Sequence, residues 1–438
     1  MEEVLLGKYL LPGAGKVKAD RGVVIKDDKI KKVAPNDELL AEYSGEKIKD
    51  YRDKVIAPGF INSHMHSYGV LSHGIPAPDV DSFESFLNDF WWPLVENRID
   101  HKMIEITTEA MAARLINSGV TSFCNVMEAP GAIPGALKKQ AEVLDEIGIR
   151  AVLSFEACER ISEENGKKGL KENRDFYLEY KDHPLISGMM CIHTTFTCSE
   201  EFIKKAGKMA RELGSGIQMH LSESSYEVDY CQEKYNKLPV EIYEKNDYLR
   251  GHVLASQGVK LTEKELEIIA KKEDINIAHV PLSNCEVGGG IAPVPAMLKK
   301  GINVGLGTDG YINNFFEVMR AAFLIHKANH ENPEIMPARE VFKLATENGS
   351  KTLGQKGIGT IEPGKQADII TIASDLMTPL TEDNIFEQLI LYRNPHDIKE
   401  VYVNGKLLKE NGKLRKFNMK KLKKKLNEEA RRLWEEVK

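Results

Sequence analysis

The chain has 438 residues, 42% of them hydrophobic and 29% charged, a globular balance that excludes a disordered, collagen-like or coiled-coil protein. Its net charge of −6 gives no electrostatic footprint for a nucleic-acid partner. No run of about 18 uninterrupted apolar residues occurs, so no membrane span is expected. The acidic start Met1-Glu2-Glu3 is not the basic-then-apolar opening of a secretory signal. Cysteines at 124, 158, 191, 198, 231 and 285 form no CxxC pair, so free thiols in a reducing cytoplasm are expected.

Residues 1–57 read as short strands and turns. The run Val23-Val24-Ile25 is followed by the polar turn Lys26-Asp27-Asp28-Lys29, and apolar character resumes at Ile30 and Val33, a hairpin pattern. Eight strand-like runs then alternate with helical stretches: Val55–Ile61, Val120–Val126, Ala151–Phe155, Ile186–Ile192, Gly216–His220, His252–Ala255, Ile275–Val280 and Ile302–Leu306. Such alternation means parallel βα units, and eight of them over this length predict a (β/α)8 TIM barrel. The open doubly wound alternative is weakened because no GxGxxG follows the first strand.

Two further β segments follow, Ala367–Ile372 and Val401–Lys406, the second with an Asn404-Gly405 turn. Neither chain end is long enough to bury a core alone, so the two are expected to pair. From Asn418 to Lys438, Leu422, Leu426, Ala430, Leu433 and Val437 recur at helical spacing. The basic run Lys413–Lys425 is read as a solvated face. The fold class is therefore α/β. It comprises a barrel (58–358), a small β-sandwich domain from both ends (1–57 and 359–415) and a C-terminal amphipathic helix (416–438).

In a barrel of this kind the reactive groups sit at the C-terminal ends of the strands. The first strand runs into His64-Met65-His66, and side chains two apart on a strand share a face. The fifth strand ends at His220 and the eighth leads into Asp309. Three imidazoles and a carboxylate suit one divalent cation, zinc being the first choice. Such an ion lowers the pKa of water and makes hydroxide available. Glu223, three residues past His220, is then the candidate proton shuttle; read without the metal site it is a solvated loop carboxylate.

Pro58-Gly59-Phe60-Ile61-Asn62-Ser63-His64-Met65-His66 resembles the opening signature of the amidohydrolase superfamily. Pro281-Leu282-Ser283-Asn284, Ile291-Ala292-Pro293-Val294 and Gly305-Leu306-Gly307-Thr308-Asp309-Gly310 resemble its chlorohydrolase and aminohydrolase branch. Ile361–Asp368 is similar to that branch's return into the small β domain. Asp383-Asn384-Ile385 and the Trp91-Trp92 helix are most similar to the SsnA-type aminohydrolases. The resemblance implies a single metal held by His64, His66, His220 and Asp309, with Glu223 as acid/base and His193 as a substrate contact. His279, on the seventh strand, reads either as pocket lining or as a plain buried histidine. Trp92 is a candidate substrate contact, since the family uses that region beside its pocket.

One departure stands out. Family members carry a histidine at the end of the sixth strand, where this chain has Gln257 in Ser256-Gln257-Gly258-Val259. Glutamine can hydrogen-bond hydroxide at a catalytic position but cannot take up a proton. The expected activity is hydrolysis of a non-peptide C–N bond in a small-molecule substrate, as deamination of a nitrogen heterocycle. Dehalogenation, amide hydrolysis and a weakly active metal-binding scaffold are the alternatives, and homo-oligomerisation is left open.

Overall fold

A computed structural model describes residues 2–435. Eight strands form a closed parallel cylinder: Phe60–Met65, Val120–Met127, Arg150–Phe155, the split strand Ile186–Gly188 and Met190–Cys191, Ile217–Leu221, Val253–Gln257, Ile275–His279 and Asn303–Leu306. The ring closes where Leu306 pairs with Asn62. The strands are apolar because both faces are covered; all eight residues of Val120–Met127 are buried. Inside, Ile61, Cys124, Val152, Met189, Leu254 and Ala278 pack together, and Leu353 and Ile358 join the same cluster. The filled interior leaves the rim as the place for chemistry.

The first barrel strand begins later than its sequence suggests. Val55 to Pro58 complete a different strand, Lys47–Pro58, in the sheet of the chain ends. The chain then turns through Gly59, where a Cβ would lie 2.1 Å from Thr121 Oγ1. A continuous apolar run hides such a bend, because both flanking segments are buried and periodicity does not register a change of sheet.

The two chain ends do build a separate, mostly β domain. Nine strands form one sheet, joined across the ends where Lys47–Pro58 runs antiparallel to Ile369–Ala373. The sheet folds over on itself: Ile30 N donates to Lys365 O (2.9 Å) and Ala367 N to Asp28 O (2.8 Å). Leu5, Ile25, Tyr51, Ile369 and Tyr402 consequently share one core.

Buried charges tie this domain to the barrel. Arg150 donates from Nε to Asp368 Oδ2 (3.0 Å) and from Nη2 to Asp368 Oδ1 (3.3 Å). Asp368 also accepts from Asn404 N (2.7 Å). The fully buried Lys409 donates to Asn117 O (2.8 Å) and Pro395 O (3.1 Å), and burial pushes its ammonium down to about 8.

The C-terminal helix spans Met419–Trp434. Leu422 packs on Ala110 and Ala113, and the Trp434 indole donates to Leu71 O (2.7 Å). Val437 lies outside the described residues. The lysines of the basic run are exposed except the half-buried Lys425, in keeping with a solvated face. Among the described residues no helix is long and apolar enough to cross a membrane.

Candidate active site

The rim of the cylinder gathers the histidines. The His64 ring lies edge-on to His66 and His220, with centroids 4.9 Å away in each case. The His66 and His220 rings stack at 5.3 Å with their Nε2 atoms 3.2 Å apart. One ring nitrogen from each of the three lies within 4.8 Å of the others. Asp309 Oδ1 is 3.6 Å from His66 Nε2. The strand ends expected to converge do so.

His66 and Asp309 are held from behind. His66 Nδ1 lies 3.1 Å from Val126 O. A carbonyl only accepts, so the proton sits on Nδ1 and Nε2 carries a lone pair. Asp309 Oδ2 accepts from Gln257 Nε2 (2.8 Å) and Ser283 Oγ (3.0 Å), and Oδ1 from Gly310 N (2.6 Å). Gln257 is itself fixed by Asn284 Nδ2, which donates to its Oε1 at 2.6 Å. Its whole amide is thus committed to orienting Asp309, and Gln257 is absent from the residues lining the cavity.

The electrostatics follow from burial. Burial, reinforced by the neighbouring His66, lowers His64 to about 3. Burial also lowers His66 and His220. Burial opposes ionisation of Asp309, but His66, His64 and the donors from Gln257 and Gly310 outweigh it and keep the carboxyl below its usual range. Glu223 goes the other way: burial first, then the nearby Asp309 and Glu227 carboxylates, raise it well above a normal glutamate.

This constellation suits a divalent cation. Both nitrogens of His64 are buried without a hydrogen-bond partner. The Nε2 atoms of His66 and His220 face one another at 3.2 Å and converge on the same spot. Unpartnered buried acceptors are costly, and an ion that takes three imidazoles and a carboxylate satisfies them together.

A cavity of about 480 Å³ opens above these groups. One wall is aromatic, carrying Phe83, Phe86, Phe90, Trp91 and Trp92. It arises from a helical turn, Phe83–Ser85, that widens into a π-helical stretch, Phe86–Val95, around Pro93. Glu223, Ser283 and Asp309 line it as well. His193 and Trp92 both line the cavity, their rings 6.0 Å apart. His279 does not line it. Its Nε2 faces His326 Nε2 at 3.2 Å in the buried interior, so packing favours the buried-histidine reading.

Sequence reasoning missed a second group of charges. Glu156 directly follows the third strand, and its two oxygens face His193 Nε2 (3.4 Å) and His220 Nδ1 (3.6 Å). Beside it, Arg160 Nη2 reaches Glu128 (2.5 Å) and Glu96 (3.3 Å), and the Tyr68 hydroxyl donates to Glu96 (2.9 Å). The signal was available for Glu156, a carboxylate at a barrel strand end. It was not available for Glu96, which opens the short 3-10 helix Glu96–Arg98, or for Arg160, which arrives from a loop.

The amidohydrolase family matches residues 55–408. A 5-methylthioadenosine/S-adenosylhomocysteine deaminase of Thermococcus sibiricus is 34% identical over 402 residues, covering 90% of each chain. A 5'-deoxyadenosine deaminase of Methanosarcina acetivorans is 32% identical over 418 residues, covering 93% of this chain and 92% of its own. In fold, the chain is similar to an adenosine deaminase from Xanthomonas campestris solved with bound zinc (TM-score 0.89, 21% identity, 98% of each chain). It is also similar in fold to the atrazine chlorohydrolase of Arthrobacter aurescens solved with zinc (TM-score 0.85, 20% identity, 98% and 100%).

Proposed function

We propose, from the premise that the chain belongs to the amidohydrolase family, that it is a metal-dependent aminohydrolase. It replaces the exocyclic amino group of a nitrogen heterocycle with oxygen and releases ammonia. The observation that carries this is the trio of buried, mutually facing imidazoles of His64, His66 and His220 beside Asp309, with the raised carboxyl of Glu223 lining the same cavity. His64, His66, His220 and Asp309 would hold one divalent ion, with zinc the first choice. When bound, such an ion supplies Lewis acidity and lowers the pKa of water.

The remaining work falls to the chain. Burial and two neighbouring carboxylates disfavour the charge of Glu223 and raise it well above an ordinary glutamate, which favours its protonated form. It donates that proton to a ring nitrogen, takes one from the attacking water and passes it to the departing amine, then takes the remaining hydroxyl proton as the carbonyl forms, which restores its starting state. Gln257 and Ser283 hold the Asp309 carboxylate in place. That assigns Gln257 a positioning role and leaves the proton transfers to Glu223. The aromatic wall from Phe83 to Trp92 stacks the heterocycle and excludes bulk water. Trp92 and His193 stand where the ring's edge is read. Adenosine derivatives are the first substrates to test, given the names of the relatives.

The test is ammonia release by zinc-loaded protein from adenosine derivatives, guanine, pterins, pyrimidines and aminotriazines. Turnover of one of these with release of one ammonia per product supports the reading. Chloride release from a chlorotriazine with no ammonia moves it to dehalogenation. Metal binding with no turnover at all moves it to a scaffold.

A further inference from the structure

We infer that the cavity selects its substrate by charge. It admits heterocycles that are uncharged away from the reacting carbon and rejects those that carry a carboxylate or phosphate there. The inference deepens the aminohydrolase reading above and rests on it. Five carboxyl side chains line the cavity, Glu96, Glu156, Glu223, Glu286 and Asp309, and among the described residues no lysine or arginine does. The ion of that reading serves the reacting carbon, so a negative group elsewhere on the substrate meets only the remaining walls. A charge taken out of water without a partner of opposite sign is costly, and a cleft lined by one sign of charge repels that sign. An uncharged ring escapes this cost and is held by the aromatic wall through its buried area. Burial raises Glu96, Glu156 and Glu223. The exclusion does not depend on their ionisation, because a protonated carboxyl offers an anion one hydroxyl and no positive charge.

The cationic side chains nearby are placed outside the lining. Arg160 lies over the Trp92 ring, 4.7 Å from its centroid, but its guanidinium is bound to Glu128 (2.5 Å) and Glu96 (3.3 Å). Arg114 lines a separate cleft that has His73, Tyr311 and Ile312 in common with the cavity. Two lining histidines each turn a ring nitrogen to the chain: His73 Nε2 lies 3.1 Å from Gly310 O, and His193 Nδ1 lies 3.0 Å from the Thr197 hydroxyl. Of the five lining carboxyls, Glu286 is the one exposed to solvent. It stands beside Tyr311, whose hydroxyl it raises above the usual range. An anion entering from solvent therefore meets a carboxylate where recognition would need a cation.

The test compares kcat/KM of the zinc-loaded protein for two substrates of equal size and different charge. For a purine nucleoside these are adenosine 5'-carboxamide and adenosine 5'-carboxylate; for any other ring that is turned over, they are its amide and its acid. The carboxylate is expected to be about 100-fold poorer than the carboxamide. Glu286→Lys supplies the missing cation and is expected to narrow that ratio about tenfold. A carboxylate within about threefold of the carboxamide overturns the inference and leaves the enzyme reading intact. Loss of both substrates relative to the parent ring also overturns it, by making size the criterion. A ratio that Glu286→Lys leaves unmoved overturns the electrostatic account. Carboxylate turnover that Arg114→Ala abolishes overturns it too, by placing the anion in the neighbouring cleft. Absence of turnover with every heterocycle overturns the aminohydrolase reading instead. Calorimetric binding of the same pair then decides the inference: tighter binding of the carboxamide upholds it, and equal binding or none overturns it.

Discussion

The third barrel strand, Arg150–Phe155, joins two contrasting ends of the molecule. Its first residue, Arg150, is buried and bonded to Asp368, Asn404 and Pro184 O. The residue after its end, Glu156, is also buried, yet its Oε2 has no hydrogen-bond partner. The contrast extends around each rim. At the seam with the β domain, Lys409 and Asp368 spend their polar atoms on defined partners. At the mouth, both nitrogens of His64, Nδ1 of His220 and one oxygen each of Glu128 and Glu156 are unpartnered. Where these named charges are satisfied the fold is stabilised, and where they are left unsatisfied around the cavity the chain is prepared for a ligand.

The comparison breaks if mouth substitutions damage the fold or seam substitutions damage the site. The largest effect is expected at Glu223. Glu223→Gln should lower ammonia turnover by about 10²–10⁴-fold in a steady-state assay while metal content stays at the wild-type value. Next comes the seam. Asp368→Ala strands the buried Arg150 guanidinium and should cost about 3–5 kcal/mol in chemical denaturation, with Zn²⁺ affinity unchanged.

The third prediction concerns Glu227, whose carboxylate lies beneath the mouth and accepts from Ser222 N, Thr195 N and the Thr195 hydroxyl. Burial outweighs those donors and raises it from 4.5 to about 7. A carboxyl raised in the folded state costs the fold only once it ionises. The cost is absent below pH 4.5, grows as pH rises, and is complete above about pH 7. Glu227→Gln should therefore gain on wild type by roughly 2 kcal/mol between pH 5 and pH 8, read from denaturation midpoints across that range. A constant difference with pH would remove Glu227 from the account. The smallest effect sharpens the contrast most. His64→Leu should stabilise the metal-free protein by about 1 kcal/mol by removing two unpartnered buried nitrogens, while abolishing the stabilisation that Zn²⁺ gives the wild type.

Much of the site was legible in the sequence because barrel chemistry sits at strand ends and strands announce themselves by apolar runs. His64, His66, His220 and Asp309 stand at such ends, and the structure brings their side chains to one place. What was not legible has specific causes. His279 also ends a strand, but its ring turns to His326, and no local signal tells which way a strand-end side chain faces. Gln257 could be recognised as a departure, but its bonds to Asp309 and Asn284 come from strands and loops far apart in sequence. The first strand was placed too early because Pro58-Gly59 marks a change of sheet within one apolar run.

What the sequence by itself determined is the alternation that makes a barrel, the pairing of two ends too short to fold alone, and the types of donor available at the rim. Those follow from local pattern and from residue chemistry. Only the tertiary structure decided that Glu156 stands behind two histidines, that Arg160 neutralises carboxylates from two other segments, and that Glu223 is raised above an ordinary glutamate. These are matters of distance and burial between residues remote along the chain, and closure of the cylinder is what sets them.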